Sequence, residues 1–357
     1  MLRQVRMTDA ATPKRVAVVS PIFGGTFPVA AQAQHALAAL GHDAALMDMR
    51  PFAADYMEAR KRGTQDAQLA FFGAVRGHIE DALSRINPEL VVALAQAPVR
   101  HDLLAELRAA GTVSALWFIE HFERFLTWRA LAPHYDWILR FQKGPFAEAL
   151  SEAGARNHAY LPLATSPEAT KPAWPTDDDP YRSALCFFGS PYQNRIDLFS
   201  SLADRGLSLW GKGWAEVPGP LSTCVRAGEE YLDRNIERRV YAGADIVINL
   251  HSRLPGETVF DFINPRTFDV AGMGRFQLVD RRTLLGEHFG PEEIVTFESA
   301  RDLREKVDHF LHHPEQRRTI ADAARARVMA EHTYEHRMQQ LLHYTLNRTE
   351  VADGQPR

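Results

Sequence analysis

Asp261 and Asp269 stand eight positions apart in the stretch DFINPRTFDVAGMGRFQLVD, with an Asn-Pro step and Arg266 between them. Asn264 ahead of Pro265 marks a helix start, because Asn caps and Pro takes a first-turn position where its missing N–H is no loss. Gly272 marks the end. Asp261 then lies in the loop before the helix, Arg266 and Thr267 in its first turn, and Asp269 about one turn further in. A helix N-terminus presents unpaired N–H groups and a partial positive charge, so it favours an anion. Arg266 adds a charged donor, and Asp269 has the acceptors that vicinal hydroxyls need, as acids do for ribose in dinucleotide folds. The plainer account is a capped surface helix with an Asp–Arg pair, and the stretch taken alone favours it.

Other residues gain weight by position. In GSPYQNR (189–195), Ser190 reads as a helix cap, Pro191 as the first turn and Arg195 as just inside. In WGKGW (210–214), glycines permit close backbone approach, Lys212 offers a point charge to phosphate, and Trp214 offers a face for a base. Asn249 and His251 close the run DIVINLH, where a satisfied core Asn and an ordinary His are the bland alternatives. Gly24 and Gly25, in SPIFGGTFP, let a backbone loop approach a ligand. They do not form the G-x-G-x-x-G fingerprint, so a nicotinamide cofactor is not implied. Glu120 and His121 end the run VSALWFIE and are candidates for acid/base work or hydroxyl binding, set against simple surface decoration. Two patterns read as decoys. The D-x-D within Asp177-Asp178-Asp179 lies in a Pro-rich span with no strand leading into it. His332 to His336 fits H-x-x-E-H but sits in a charged helical segment with no evident third ligand.

The elements that must position these residues alternate between strand-like and helix-like. Short apolar runs (VAVVS, DAALMDM, ELVVALA, VSALWFIE, DWILRFQ) are separated by helical segments such as TQDAQLAFFGAVRGHIEDALSRI (64–86). FERFLTWRALAPHYDW (122–137) offers basic and aromatic residues to an acceptor or to a peripheral membrane contact, with a packed amphipathic helix as the commoner explanation. Four prolines and three consecutive acids then mark a linker, and the alternation restarts with ALCFFG, LSLWG, DIVINLH and FQLVD. Two helices are expected across 299–348. The expected organisation is a flexible N-terminus at 1–14, an N-terminal Rossmann-like domain at 15–163, a linker at 164–182, a C-terminal domain at 183–335 and a helix at 336–357 that returns to the N-terminal domain. The fold class is α/β, with two Rossmann-like, doubly wound parallel sheets facing across a cleft. That cleft is the default ligand site.

Composition agrees and excludes little else. The 357 residues carry a net charge of -4, with no overall pull toward nucleic acid or anionic membrane. Two cysteines without a CxxC pair argue against a disulfide framework or a Cys-rich zinc site. The opening residues have no apolar signal core and no run reaches a membrane span, so the cytoplasm is the expected location.

The order of segments resembles the GT-B glycosyltransferases, most closely the spore-maturation CgeB-like branch with a group 1 C-terminal domain. The resemblance rests on YDWILRFQKGPFAEALSEAGARNHAYLPLA, CFFGSPYQNRIDLFSSLADRGLSLWGKGW, INLHSRLPGETVFDFINPRTFDVAGMGRFQLVD and EHTYEHRM, spanning roughly residues 110–345. It implies a nucleotide-sugar donor held mainly by the C-terminal domain, an acceptor held mainly by the N-terminal one, and no metal. Retaining relatives carry two glutamates at the spacing of Asp261 and Asp269, so the resemblance sets Asp261 toward the sugar and Asp269 toward the ribose. Both are one methylene shorter here. Arg195 and Lys212 are the nearest matches to the relatives' diphosphate-binding pair. The expected reaction is glycosyl transfer to a cell-surface glycan, glycolipid or protein. If it inverts, Glu120 or His121 is the base; if it retains, they position substrates. A nucleotide-sugar epimerase and a non-catalytic sugar-nucleotide-binding protein are the alternatives.

Overall fold

The computed structural model describes residues 12–168, 179–227, 234–257 and 261–346. The chain divides into two compact units. One comprises Met1–Arg140, Ala147–Leu161 and Met338–Arg357; the other comprises Phe141–Phe146 and Pro162–Arg337.

The first unit is built on six parallel strands: β1 (Arg15–Val19), β2 (Asp43–Met47), β3 (Leu90–Leu94), β4 (Val113–Phe118), β5 (Trp137–Arg140) and β6 (His158–Tyr160). Their order is β2-β1-β3-β4-β5-β6. The second unit repeats the design with β7 (Ser183–Phe188), β8 (Leu207–Trp210), β9 (Val225–Ala227), β10 (Ala244–Asn249), β11 (Gln277–Asp280) and β12 (Val295–Phe297), in the order β12-β11-β10-β7-β8-β9. Side chains alternate across each strand, and in the second sheet both faces are apolar. Leu185, Phe187, Ile246 and Ile248 enter one buried cluster, while Cys186 and Val247 between them enter the other. Each order reverses once, between β1 and β3 and between β7 and β10. At such a reversal the chain departs to either side and leaves a crevice at the carboxyl ends of the two central strands.

Several expected boundaries move. The segment 299–348 holds three described helices, Ala300–His312, Pro314–Glu331 and Tyr334–Leu346. Pro314 opens the second, and His332–Thr333 leaves helical pairing to bond with the chain at Thr165. FERFLTWRALAPHYDW forms only a short helix, Thr127–Leu131, not a long amphipathic one. The start of the span read as a linker is anchored: the Thr165 N–H donates to His332 O at 3.0 Å and the Tyr334 N–H to Thr165 O at 3.0 Å. Buried Arg337 donates to the carbonyls of Pro162 (3.0 Å) and Leu163 (3.1 Å) and lies 2.8 Å from His332 Nδ1. His332 Nε2 then donates to His288 O at 3.1 Å, and burial pushes the ring down to about 3. The H-x-x-E-H histidines therefore take structural roles, with His336 Nδ1 2.8 Å from Thr333 Oγ1. Of the three acids in the linker span, Asp177 and Asp178 lie outside the described residues. Asp179 closes a turn by accepting from the Tyr181 N–H at 3.0 Å.

Candidate active site

In the second unit the reversal falls between β7 and β10, and the candidate residues gather at the ends of those strands. The loop after β7 is pressed against the loop after β8. Gly189 has φ +145°, its N–H donates to Trp210 O at 2.8 Å, and its carbonyl accepts from Trp214 Nε1 at 2.6 Å. A Cβ at Gly211, which has φ +123°, would stand 2.7 Å from Gly189 O. Backbone meets backbone there, so Gly211→Ala combines a forbidden dihedral with an overlap no side chain can relieve. The variant is expected to lose roughly 2–5 kcal/mol of stability, read from its denaturant midpoint.

Arg195 lies on the helix Gln193–Phe199, which starts two residues later than expected. Its cap position is Tyr192, and Ser190 contributes its carbonyl rather than its hydroxyl. The Arg195 guanidinium is buried. It donates to Ser190 O at 2.9 Å and to Leu250 O at 3.0 Å, tying the end of β7 to the end of β10, and its Nε has no partner. Arg266 donates to Tyr241 Oη at 2.9 Å, to Asn249 Oδ1 at 3.2 Å and to Phe188 O. Both guanidinium carbons sit over one ring, Phe187, at 4.8 and 4.7 Å from its centroid. Neither forms an ion pair among the described residues. Burial, with the Arg266 charge beside it, pushes Arg195 down to about 9. Two neighbouring cations with no carboxylate in ion-pair contact among the described residues carry a desolvation and repulsion cost, eased only at longer range by Asp280 and Glu237, and a bound anion offsets it.

The helix start behaves as its sequence suggests, but its polar groups are used internally. Asn264 caps the helix Pro265–Gly272, its Oδ1 accepting from the Thr267 N–H at 3.1 Å and from Thr267 Oγ1 at 3.1 Å. Asn249 is fully buried. It donates to Thr267 Oγ1 and Gln277 Oε1, both at 2.9 Å, and accepts from Asn264 Nδ2 at 2.8 Å. Asn249, Asn264 and Thr267, expected to bind the donor, spend these side-chain groups on one another and lock the helix that carries Arg266. His251, expected beside them, is engaged internally in the same way. Its Nε2 accepts the Asn264 N–H at 3.0 Å, so its proton sits on Nδ1, 2.6 Å from Asp280 Oδ1. Burial holds this ring below the usual histidine range, and the neutral tautomer is the one its partners require. Trp214 is also not a stacking platform. It is fully buried against Phe187 and Phe199, because its indole N–H is needed by Gly189.

Three charged candidates remain accessible. Lys212 is exposed between the two glycines and has no partner among the described residues. Asp261 is partly exposed ahead of the helix, accepting only the Leu284 N–H, at 3.2 Å, among the described residues. Asp269 is paired, but not with Arg266. Its oxygens accept from Thr165 Oγ1 at 3.2 Å and from Arg234 Nη2 at 3.1 Å, and each keeps a second lone pair. Burial raises this carboxyl, while Arg234 opposes the rise.

In the first unit the reversal lies between β1 and β3. Gly24, with φ +100°, and Gly25 form the loop after β1. Gln96, two residues after β3, has φ +67°, an uncommon conformation for a side chain of its size. It donates from Nε2 to Glu120 Oε1 at 3.0 Å. Burial pushes the Glu120 carboxyl up to about 7, against the opposing charge of Arg124 and the Gln96 hydrogen bond. His121 is buried, and its Nδ1 accepts the Glu123 N–H at 3.3 Å. Sequence reasoning missed Gln96, Tyr241 and Asp280; only Asp280, closing the run FQLVD at a strand end, carried a positional signal.

Residues 195–343 match the family described as Glycosyl transferase-like. Spore protein CgeB of Bacillus subtilis (strain 168) is 26% identical over 258 residues, which cover 68% of this chain and 78% of that protein. Among solved structures, a sucrose-phosphate synthase from Thermosynechococcus elongatus is similar with a TM-score of 0.60 at 13% identity, covering 92% of this chain and 97% of that one. Anabaena HepE, in complex with UDP and glucose, is similar with a TM-score of 0.56 at 12% identity, covering 92% and 90%. At these identities the structural likenesses show a common fold.

Proposed function

We propose that this chain, a glycosyltransferase of the GT-B fold, transfers a sugar from a nucleoside-diphosphate sugar to a cell-surface glycan, glycolipid or protein without help from a metal ion. The observation that carries this reading is the pair of guanidiniums, Arg195 and Arg266, that stand over Phe187 at the reversal between β7 and β10 with no ion-pair contact among the described residues. A leaving diphosphate gains negative charge as the sugar becomes oxocarbenium-like, and fixed cations stabilise that charge in the transition state. Arg195 and Arg266 supply it from positions their carbonyl and hydroxyl partners already hold, and exposed Lys212 adds a third charge. Asp261 addresses the donor sugar and Asp269 the ribose. Glu120 is the base for an acceptor hydroxyl, because a carboxyl raised to about 7 both ionises and accepts a proton near neutral pH.

The test is a thermal-shift series with UDP-, GDP-, ADP- and TDP-sugars, each with and without EDTA. One donor should raise the melting midpoint, since ligand at a hundredfold excess over its Kd stabilises by about 2.7 kcal/mol. The rise should survive chelation. No shift with any donor would refute the donor assignment; a shift abolished by EDTA would refute the metal-free one.

A further inference from the structure

Thr165 follows β6, where the chain passes from the first unit to the second, yet its side chain reaches the candidate site. Its hydroxyl lies 3.2 Å from Asp269 Oδ1, 104 positions away in the sequence. Thr165, Arg234 and Asp269 belong to the same compact unit. Thr165 is fully buried, and both sides of its backbone are taken, the N–H by His332 O and the carbonyl by the Tyr334 N–H, each at 3.0 Å. The main chain therefore does the anchoring. Among the described residues the hydroxyl meets only Asp269, and because an ionised carboxylate only accepts, Thr165 is the donor. Valine has the same shape, so packing alone does not call for a hydroxyl here.

From this hydroxyl–carboxylate contact and the ion pair on the other oxygen, we propose that Thr165 is a positioning residue for donor recognition, a role that rests on the reading of Asp269 as the ribose acceptor. With Arg234 it fixes the rotation of the Asp269 carboxylate, so that two lone pairs face the vicinal hydroxyls of a ribose together. The last torsion of an aspartate is broad and roughly two-fold, so the side chain does not fix this rotation by itself. Here each oxygen is held once: Oδ1 by Thr165 Oγ1, and Oδ2 by Arg234 Nη2 at 3.1 Å. One spare acceptor remains on each oxygen. A vicinal diol carries two donors on adjacent carbons, which suits two acceptors on one carboxylate. The Asp269 side chain is 16% exposed, so it is not sealed in the core. The second hold is braced in turn. Arg234 lies 3.5 Å from Glu237 Oε2, Glu237 Oε1 accepts from Tyr241 Oη at 2.8 Å, and that hydroxyl accepts from Arg266 at 2.9 Å. The ribose acceptor and a diphosphate cation thus share one network. Burial pushes the Asp269 carboxyl up, and Arg234 and the Thr165 hydroxyl both oppose the rise, favouring the form that only accepts.

The test is calorimetric titration of the full chain with UDP, GDP and ADP and with their 2′-deoxy counterparts. The nucleotide that binds should do so about tenfold or more tighter than its deoxy form, the scale of one hydrogen bond to a charged group. In Thr165→Val that preference should shrink by about threefold or more, through weaker binding of the ribonucleotide while the deoxynucleotide is scarcely affected. Thr165→Ser keeps the hydroxyl and should keep the preference. Thr165→Ala removes the hydroxyl without setting a methyl against the carboxylate, and carries the test if the valine chain does not fold. A preference unchanged in the chains without the hydroxyl would overturn the role of Thr165 and leave Asp269 at the ribose. An equal loss for both nucleotides, the mark of a merely structural hydroxyl, would overturn it too. No binding, or no preference, in the original chain would sink the ribose reading of Asp269 itself, and the role of Thr165 with it.

Discussion

Replacing Arg195 with methionine should lower donor turnover about a hundred- to a thousandfold, the scale of losing one preorganised charge at a developing anion, while leaving stability within about 2 kcal/mol of the original. The two halves of this expectation have different causes. Arg195 is buried beside Arg266 with no carboxylate in ion-pair contact among the described residues, and its pKa is pushed down to about 9. A guanidinium stays protonated at neutral pH, so folding bears the desolvation cost throughout. The sign follows from linkage. The folded pKa lies below the unfolded one, so the cost is fully present below about pH 9 and is relieved only as pH rises toward the unfolded value. Methionine fills similar volume and removes that cost. Against this stands the loss of donors to Ser190 O and Leu250 O and of the contact with Phe187. Unsatisfied carbonyls cost about 1–3 kcal/mol each, so the opposing terms nearly cancel. Melting curves and donor turnover on the same preparation separate the two effects. Undiminished turnover would remove Arg195 from the diphosphate site. A collapse of both would mean that it serves the fold rather than the reaction.

That contrast explains what could be read from the sequence alone. Alternating apolar runs disclosed the two parallel sheets, because burial on both faces leaves a local signature. The capped start at Asn264–Pro265 was legible for the same reason: cap and first turn lie side by side in the chain. What could not be read is which polar groups are already spent. Asn249, His251 and Asn264 looked like ligand contacts because they sit at a strand end and a helix start. Gln277 and Asp280, the partners of Asn249 and His251, are brought to them only by the pairing of β10 with β11, and Asn264 reaches both Asn249 and His251 from across the intervening loop. Likewise the expected Asp269–Arg266 pair does not form. Asp269 takes Arg234 from another helix, and Arg266 is left as a cation tied to neutral acceptors. The sequence contains both acids and both arginines but not their assignment, and the assignment decides which charge remains for a ligand.

The first unit holds the other large expectation. Glu120→Gln should reduce transfer by a factor of about 10²–10⁴, the usual worth of a positioned general base, and should abolish the acid limb of the pH profile. A base must be ionised to accept the acceptor proton. With the carboxyl raised to about 7, kcat/KM should climb with pH up to about that value and level off above it. An unperturbed glutamate would place the limb near 4, so its position discriminates. Gln96 sharpens the test. It donates to Glu120 Oε1, which favours the ionised form, so Gln96→Leu should move the limb to higher pH without removing it. A merely structural role for Gln96 would leave the midpoint where it is. A Glu120 base also requires attack from the face opposite the leaving diphosphate, and hence a product of inverted anomeric configuration. Retained configuration with a limb near 7 would sink the base assignment and leave Glu120 as a group that positions the acceptor. Inversion together with a shifted limb in Gln96→Leu would tie the uncommon backbone at Gln96 to the chemistry: its left-handed conformation aims the amide at the one carboxylate whose protonation state the reaction depends on.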